Sequence, residues 1–203
     1  MDKSAMFKIG YGLYVLSARE NDKDNGCIIN TLMQVTDKPL GVIFTINKSN
    51  YTCDMIIKTK QFNVSMLTIE TPFKIFEQFG FKSGRDTNKF TEQEALNRSE
   101  NGIVYLSEYV NSYISCKVID IFDFGTHILF HAEVVDAKNI SDIDSLTYAY
   151  YHSNIKPKAK PVDKVAWRCE ICGYIYEGDP LPEDFICPWC KHGVADFVKI
   201  IPN

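Results

Sequence analysis

The sequence predicts a mainly β chain: an antiparallel barrel or sandwich followed by a small metal-binding domain. Three observations carry this. From Tyr11 to about Asp136, short apolar runs rich in Val, Ile, Phe and Tyr alternate with turn residues, as strands packed on a pleated surface do. Only short helical signals interrupt them, and many strands with few helices close into an antiparallel barrel or sandwich. Near the C-terminus two Cys-x-x-Cys pairs, Cys169/Cys172 and Cys187/Cys190, stand fourteen residues apart. That spacing puts four thiolates where one metal takes them tetrahedrally.

Taken in order, the candidate strands are 11–18, 26–35, 39–46, 61–69, 102–108, 113–123, 126–137 and 145–151. A helix should follow Asn50, from about Thr52 to Lys58. Thr71-Pro72 predicts a second, with Pro at the first helical position, Phe73, Phe76 and Phe79 on one face, and Gly80 as its stop. Thr91-Glu-Gln-Glu94 reads as the capping box of a third. Gly10-Tyr-Gly12 lacks the third glycine and the helix of a dinucleotide fingerprint. Residues 153–166 hold two prolines and four lysines with little apolar content, a semi-extended tether. The expected organisation is a β domain over 1–152, a linker over 153–166 and a metal domain over 167–203.

Composition narrows the function classes. Hydrophobic residues make up 45% and charged residues 24% of 203, as in a soluble globular chain. No apolar run approaches the ~20 residues of a membrane span. Met-Asp-Lys-Ser-Ala-Met-Phe-Lys at the start lacks the apolar core of a signal peptide, so the expected location is cytoplasmic. Of seven cysteines, Cys27, Cys53 and Cys116 are left over from the metal set, which suits reduced, buried thiols. The net charge of −4 is uneven: residues 165–203 carry three Lys/Arg against six Asp/Glu. No basic stripe points to nucleic acid; an acidic redox module docks more readily on a complementary protein surface.

Tetrahedral S4 sites hold zinc as a staple or iron as a one-electron carrier. Trp167, Tyr174, Tyr176, Phe185, Trp189 and Phe197 supply enough aromatic surface to cover such a site. Gly173, directly after the second cysteine, lets the backbone fold close so that amides can reach the sulfurs. Cys-Glu-Ile-Cys-Gly-Tyr-Ile-Tyr-Glu-Gly-Asp-Pro followed by Asp-Phe-Ile-Cys-Pro-Trp-Cys resembles rubredoxin, the one-iron Fe(Cys)4 carrier. The loop between the pairs is shorter than in ordinary rubredoxins and is more similar to the rubredoxin-like domain that ends rubrerythrins. The resemblance implies iron, one per chain, with zinc as the other candidate.

Two polar patches stand out in the β domain: Asn30-Thr31-Leu-Met-Gln34-Val-Thr36, and Lys48-Ser49-Asn50-Tyr51-Thr52 at a helix start. A helix N-terminus with a lysine and hydroxyls beside it suits a phosphate. The same residues equally suit a plain N-cap with a solvated lysine. With Phe-Gly-Phe-Lys-Ser83-Gly-Arg85-Asp86-x-x-Lys89-Phe90, these motifs resemble the flavin reductase-like, FMN-binding split-barrel family. The resemblance implies a split β-barrel homodimer with FMN near the subunit interface. It implies Asn30, Thr31, Lys48, Ser49, Asn50 and Thr52 on the phosphate and ribityl chain, and Gln34 and Thr36 facing the ring. Ser83, Arg85, Asp86 and Lys89 would lie in a loop over or beside the flavin. In Gly125-Thr-His127-Ile-Leu-Phe it implies a histidine, His127, that helps seat the nicotinamide, with His152 a weaker candidate. His131 and His192 read as structural or solvent-facing.

The pairing of a flavin-reductase domain with a rubredoxin domain resembles fusion proteins of anaerobic bacteria. It implies an NADH- or NADPH-dependent oxidoreductase that passes electrons through FMN and Fe(Cys)4 to a flavodiiron protein reducing oxygen or nitric oxide. Hydride transfer requires stacking, orientation and exclusion of water rather than an acid, base or nucleophile, and no catalytic triad or carboxylate pair stands out. Two other classes fit the residues: a flavin reductase with a structural zinc domain, and a non-enzymatic carrier reduced by another protein.

Overall fold

A computed structural model describes residues 3–90, 96–157, 163–170, 172–189 and 193–201. The chain divides into two compact units, 1–155 and 156–203. In the first, the elements are β1 (Tyr14–Glu20), β2 (Lys23–Ile29), β3 (Met33–Asp37), β4 (Leu40–Asn47), α1 (Tyr51–Thr59), β5 (Gln61–Leu67), α2 (Phe73–Phe76), β6 (Leu96–Arg98), β7 (Val104–Leu106), β8 (Val110–Asp123), β9 (His127–Asn139) and α3 (Tyr148–Tyr150). Among the described residues, seven strands form an antiparallel sheet in the order β2-β1-β5-β8-β9-β4-β3.

Side chains from opposite ends of that order share one core. Cys27 and Ile29 of β2 pack in the same buried cluster as Val42, Phe44 and Ile46 of β4, with Phe62, Val64 and Phe130 between them. Among the described residues the sheet therefore curls around this core as an open barrel, its edge strands β2 and β3 not paired with each other. Alternation does the sorting: Leu16 and Ala18 of β1 point into this core, while Val15 points to a second cluster. Helix α1 contributes Cys53, Met55 and Ile56 to the barrel core. The Phe44 ring stacks on Phe130 with centroids 5.2 Å apart and meets Phe62 edge-on at 4.9 Å. The second cluster covers the outside of β1 and β5 with Phe76, Phe79, Phe90, Val104, Leu106 and Tyr151.

Some local expectations change. The run 26–35 is two strands, broken at Asn30–Leu32, where the chain passes from one sheet edge to the other. Residues 145–151 are not a strand: Ser145 and Thr147 make isolated bridges to Thr68 and Gly12, and the chain then coils through Tyr148–Ile155. The aromatic spacing there serves packing of Tyr151 on Phe76, with centroids 4.4 Å apart. Pro72 is the N-cap of α2 rather than its first helical residue, and Gly80 does not stop the helix, which widens into a π-turn through Phe81. The capping box at 91–94 lies outside the described residues. No helix among the described residues is long and apolar enough to cross a membrane.

A buried polar network ties the β6–β7 hairpin to the barrel. Asn63 Nδ2 donates to Ser99 Oγ (2.7 Å) and to the Ile103 carbonyl (2.9 Å). Asn101 Nδ2 donates to Asn63 Oδ1 (3.1 Å) and Ser115 Oγ (2.7 Å). The barrel mouth is an apolar cavity of about 480 Å³ between Tyr14, Leu32, Gln34, Val42, Met66 and Leu146.

The second unit is a three-stranded sheet, β11-β10-β12, formed by β10 (Ala166–Cys169), β11 (Ile175–Tyr176) and β12 (Phe197–Ile200). Phe185 packs between Tyr176 (4.7 Å) and Phe197 (5.4 Å). Asp179 joins the strands from outside, accepting from Trp167 Nε1 at 3.2 Å and pairing with Lys199 at 2.9 Å.

Candidate functional site

The metal centre begins where β10 ends. Cys169, Cys172 and Cys187 are buried, and their sulfurs all lie within 4.8 Å of one another. Cys172 Sγ and Cys187 Sγ are 3.4 Å apart; thiolates at metal bonds of about 2.3 Å in a tetrahedron stand close to ~3.8 Å. Three ligands on this geometry fit a tetrahedral metal, and Cys190 lies outside the described residues. Gly173 has φ +85° and donates its amide to the Cys169 carbonyl at 2.9 Å. Its own N–H thus closes the turn that brings the first pair together.

The polar patches of the β domain meet on the outer face of the barrel. In β4, Val42, Phe44 and Ile46 point inward, which leaves Gly41, Ile43, Thr45 and Asn47 outside. In β9 the outer set is His127, Leu129, His131 and Glu133, paired with Asn47, Thr45, Ile43 and Gly41 in turn. Thr31, half-buried beside Asn30, joins this face through Thr45: its Oγ1 donates to the Thr45 carbonyl and accepts from the Thr45 amide, both at 2.9 Å.

At one end stands the start of α1. Asn50 Oδ1 accepts from Thr52 N at 2.9 Å, the N-cap the sequence suggests. Asn47 Oδ1 accepts from the Ser49 amide (2.9 Å) and hydroxyl (2.8 Å). Lys48 Nζ pairs with Asp123 at 2.7 Å, and the Lys48 amide donates to Thr126 at 3.0 Å, which brings His127 alongside. His127 is exposed, its Nδ1 2.9 Å from Thr126 Oγ1. Arg85 pairs with Asp54 at 2.6 Å and lies 4.9 Å from the Tyr51 ring centroid. Hydrogen bonding from Lys48, then from the Gly125 amide, holds the Asp123 carboxyl below its ordinary pKa.

At the other end a β-bulge separates Gln34 from Thr36. Gln34 pairs with inward Val42 and lines the barrel mouth, whereas Thr36 pairs with outward Gly41. The two residues expected to face one ring therefore look to opposite faces. Thr52 and Lys89 are buried. Thr52 Oγ1 accepts from Asn25 at 2.9 Å, and Lys89 Nζ donates to the carbonyls of Gly26 (2.9 Å) and Phe79 (3.2 Å). Burial lowers the Lys89 pKa. Ser83 Oγ accepts from the Arg85 amide at 3.2 Å, and Asp86 is exposed. His152 packs on Tyr148, 4.5 Å between centroids. Sequence reasoning overlooked Asp54, Asp123 and Thr45, whose partners lie far away in the chain; no local motif announces them.

Comparison with known proteins agrees with this architecture. The Flavin reductase like domain family matches residues 6–159. The chain belongs to that family. The rubredoxin-like domain of rubrerythrin matches residues 167–198. The high molecular weight rubredoxin of Moorella thermoacetica is 35% identical over 98% of this chain and 100% of its own length. A ferric-chelate reductase (NAD(P)H) of Archaeoglobus fulgidus is 37% identical over 78% of this chain and 93% of its own. The solved NADH:FAD oxidoreductase of Streptomyces globisporus shares the fold, with a TM-score of 0.63 at 17% identity over 70% of this chain and 83% of its own. As a mainly β flavin reductase-type split barrel joined to a rubredoxin-like domain, the chain is an oxidoreductase.

Proposed function

We propose that this flavin reductase-family protein is an NAD(P)H-dependent flavoprotein–rubredoxin reductase. Electrons pass from NADH or NADPH through FMN to an iron in the cysteine cluster, and from there to a redox protein, a flavodiiron protein that removes oxygen or nitric oxide. The observation that carries this reading is the union, in one chain, of the flavin reductase barrel with a buried cluster of rubredoxin-spaced cysteines.

FMN, when bound, takes two electrons as hydride and passes them on singly, which an Fe(Cys)4 centre requires. The residues fit such a group. Lys48, Ser49, Arg85 and the α1 N-terminus hold its phosphate, with Asn50 capping the helix beneath. Asn30, Thr31 and Thr45 offer hydrogen bonds to the ribityl chain, and Thr36, whose hydroxyl covers Gly41, meets the ring. The family resemblance gives His127 the nicotinamide, but it stands at the α1 end of this face beside Lys48 and Thr126, nearer the phosphate and ribityl groups than the ring. Thr52 and Lys89 act from below, fixing the strand and helix that carry these groups. Met33, Val35, Leu40, Ile119, Phe122 and Phe124 are exposed apolar residues of β3, β4, β8 and the turn after it, a surface suited to a homodimer. Cytoplasmic residence agrees with three unpaired buried thiols.

The test is the visible spectrum of protein purified without oxygen, with metal and flavin contents, before and after NADH or NADPH. Flavin and ferric-thiolate bands that both bleach support the relay. Flavin with stoichiometric zinc would favour a flavin reductase with a structural metal domain. A flavin that neither nicotinamide bleaches would leave a carrier reduced by another protein.

A further inference from the structure

The cysteine cluster carries a cation that its own motif does not supply. Lys156 stands in the lysine-rich stretch that the sequence reads as a tether, yet it falls within the compact unit 156–203. Its side chain is half-buried, and Nζ donates to the Glu170 carbonyl at 3.1 Å. Its Cε lies 3.7 Å from the point where a Cβ on Gly173 would stand, so the stem runs along the open side of this glycine. Glu170 directly follows Cys169, and Gly173 directly follows Cys172. The lysine therefore spans the turn of the first pair, its stem over Gly173 and its ammonium on the carbonyl beside Cys169. The Gly173 amide closes the same turn on the Cys169 carbonyl at 2.9 Å. The charge thus rides on the backbone that positions both thiols.

Resting on the iron reading above, we propose that Lys156 sets the charge balance of the metal centre, favouring its more negative state and raising its reduction potential. Four thiolates leave ferric iron with one net negative charge and ferrous iron with two. Reduction adds one electron to the metal and moves no proton. A cation held at the turn stabilises the doubly charged form more than the singly charged one. Bound zinc gains in the same way, since a divalent ion with four thiolates also carries two negative charges. The other cations of the unit do not take this place. Residues 165–203 carry three Lys/Arg against six Asp/Glu, and the acidic excess pushes the potential the opposite way. Of the three, Arg168 precedes Cys169 on β10 and points to the opposite face of the sheet. Lys199 pairs with Asp179 at 2.9 Å, and Lys191 lies outside the described residues.

The experiment uses the full-length protein with Lys156→Met, which keeps the stem and removes the charge, and Lys156→Arg, which restores it. Two quantities are measured at low and high salt: the midpoint potential of the iron centre by spectroelectrochemistry, and zinc affinity by competition with a chromophoric chelator. Lys156→Met should lose preference for ferrous over ferric iron roughly threefold, about 30 mV at 59 mV per tenfold for one electron. Its zinc affinity should fall by a similar factor, roughly threefold. Both losses should shrink at high salt, and Lys156→Arg should match the native protein. An unchanged potential in Lys156→Met with iron bound overturns the inference. So does a shift of equal size at both salt concentrations, or one that Lys156→Arg fails to reverse, since either marks a hydrogen bond or packing contact rather than a charge. A native protein that takes zinc and no iron would defeat the relay reading instead, and the zinc affinities would then decide for or against Lys156.

Discussion

Lys48 and Arg85, the cations expected to meet a phosphate, each carry a carboxylate partner, Asp123 and Asp54. Both pairs are substantially exposed, so water screens them and each contributes little to stability. Their consequence is for ligand binding: Asp123 neutralises Lys48 and repels an incoming anion. Asp123→Asn should tighten FMN about three- to fivefold, read by fluorescence quenching, and the gain should shrink at high salt. The buried thiols behave in the opposite sense. Burial raises the Cys27 and Cys116 pKa values and pushes Cys53 up from 9.0 to about 11. At pH 8 these three should resist alkylation in the native protein and react only after denaturation, as mass spectrometry would show. For Cys53 the folded pKa exceeds the unfolded one. Its share of stability is therefore intact below pH 9 and is lost as the pH climbs toward 11.

Each element of the barrel is held by a packing face, and the β6–β7 hairpin adds a buried hydrogen-bond network to the packing of Val104 and Leu106. The β6–β7 hairpin rests on Asn63, which bonds Ser99, Ile103 and Asn101 from a fully buried position on β5. Asn63→Ala strands several buried donors and acceptors at once. Urea unfolding should show a loss of about 2–4 kcal/mol. The loop Ser83–Arg85 depends on backbone contact instead: a Cβ at Gly84 would collide with the Asn25 side chain, which bonds Thr52. The bulge in β3 acts at the same scale. One extra residue sends Gln34 to the barrel mouth and Thr36 to the outer face.

In the whole molecule, two cores of different kinds coexist. The barrel buries a large apolar cluster drawn from β1, β2, β4, β5, β8, β9 and α1. The small unit has a short sheet and a few aromatic contacts around its cysteines, a scale at which a metal usually supplies much of the folding free energy. Cys172→Ser, or a strong chelator, should therefore unfold 156–203 while the barrel retains its far-ultraviolet signature and its flavin. Differential scanning calorimetry would then show one transition lost and the other unmoved. A barrel that melted together with the metal domain would contradict this separation.

Local pattern alone determined most of the strands, the α1 start with its Asn50 cap, the cysteine spacing and the motifs that mark the family. These rest on side-chain period, capping chemistry and ligand geometry, all confined to neighbours in the chain. Local pattern missed Leu96–Arg98, merged two strands over 26–35 and read a strand at 145–151 where there is none. Tertiary structure alone decided which groups share a face. The β3 bulge shifts the register, so Gln34 and Thr36 turn to opposite faces; burial turns Lys89 and Thr52 into supports; and pairing of β8 with β9 brings Asp120 and His131 together. Register and burial are settled by contacts between residues distant in sequence, and a local motif carries no information about them.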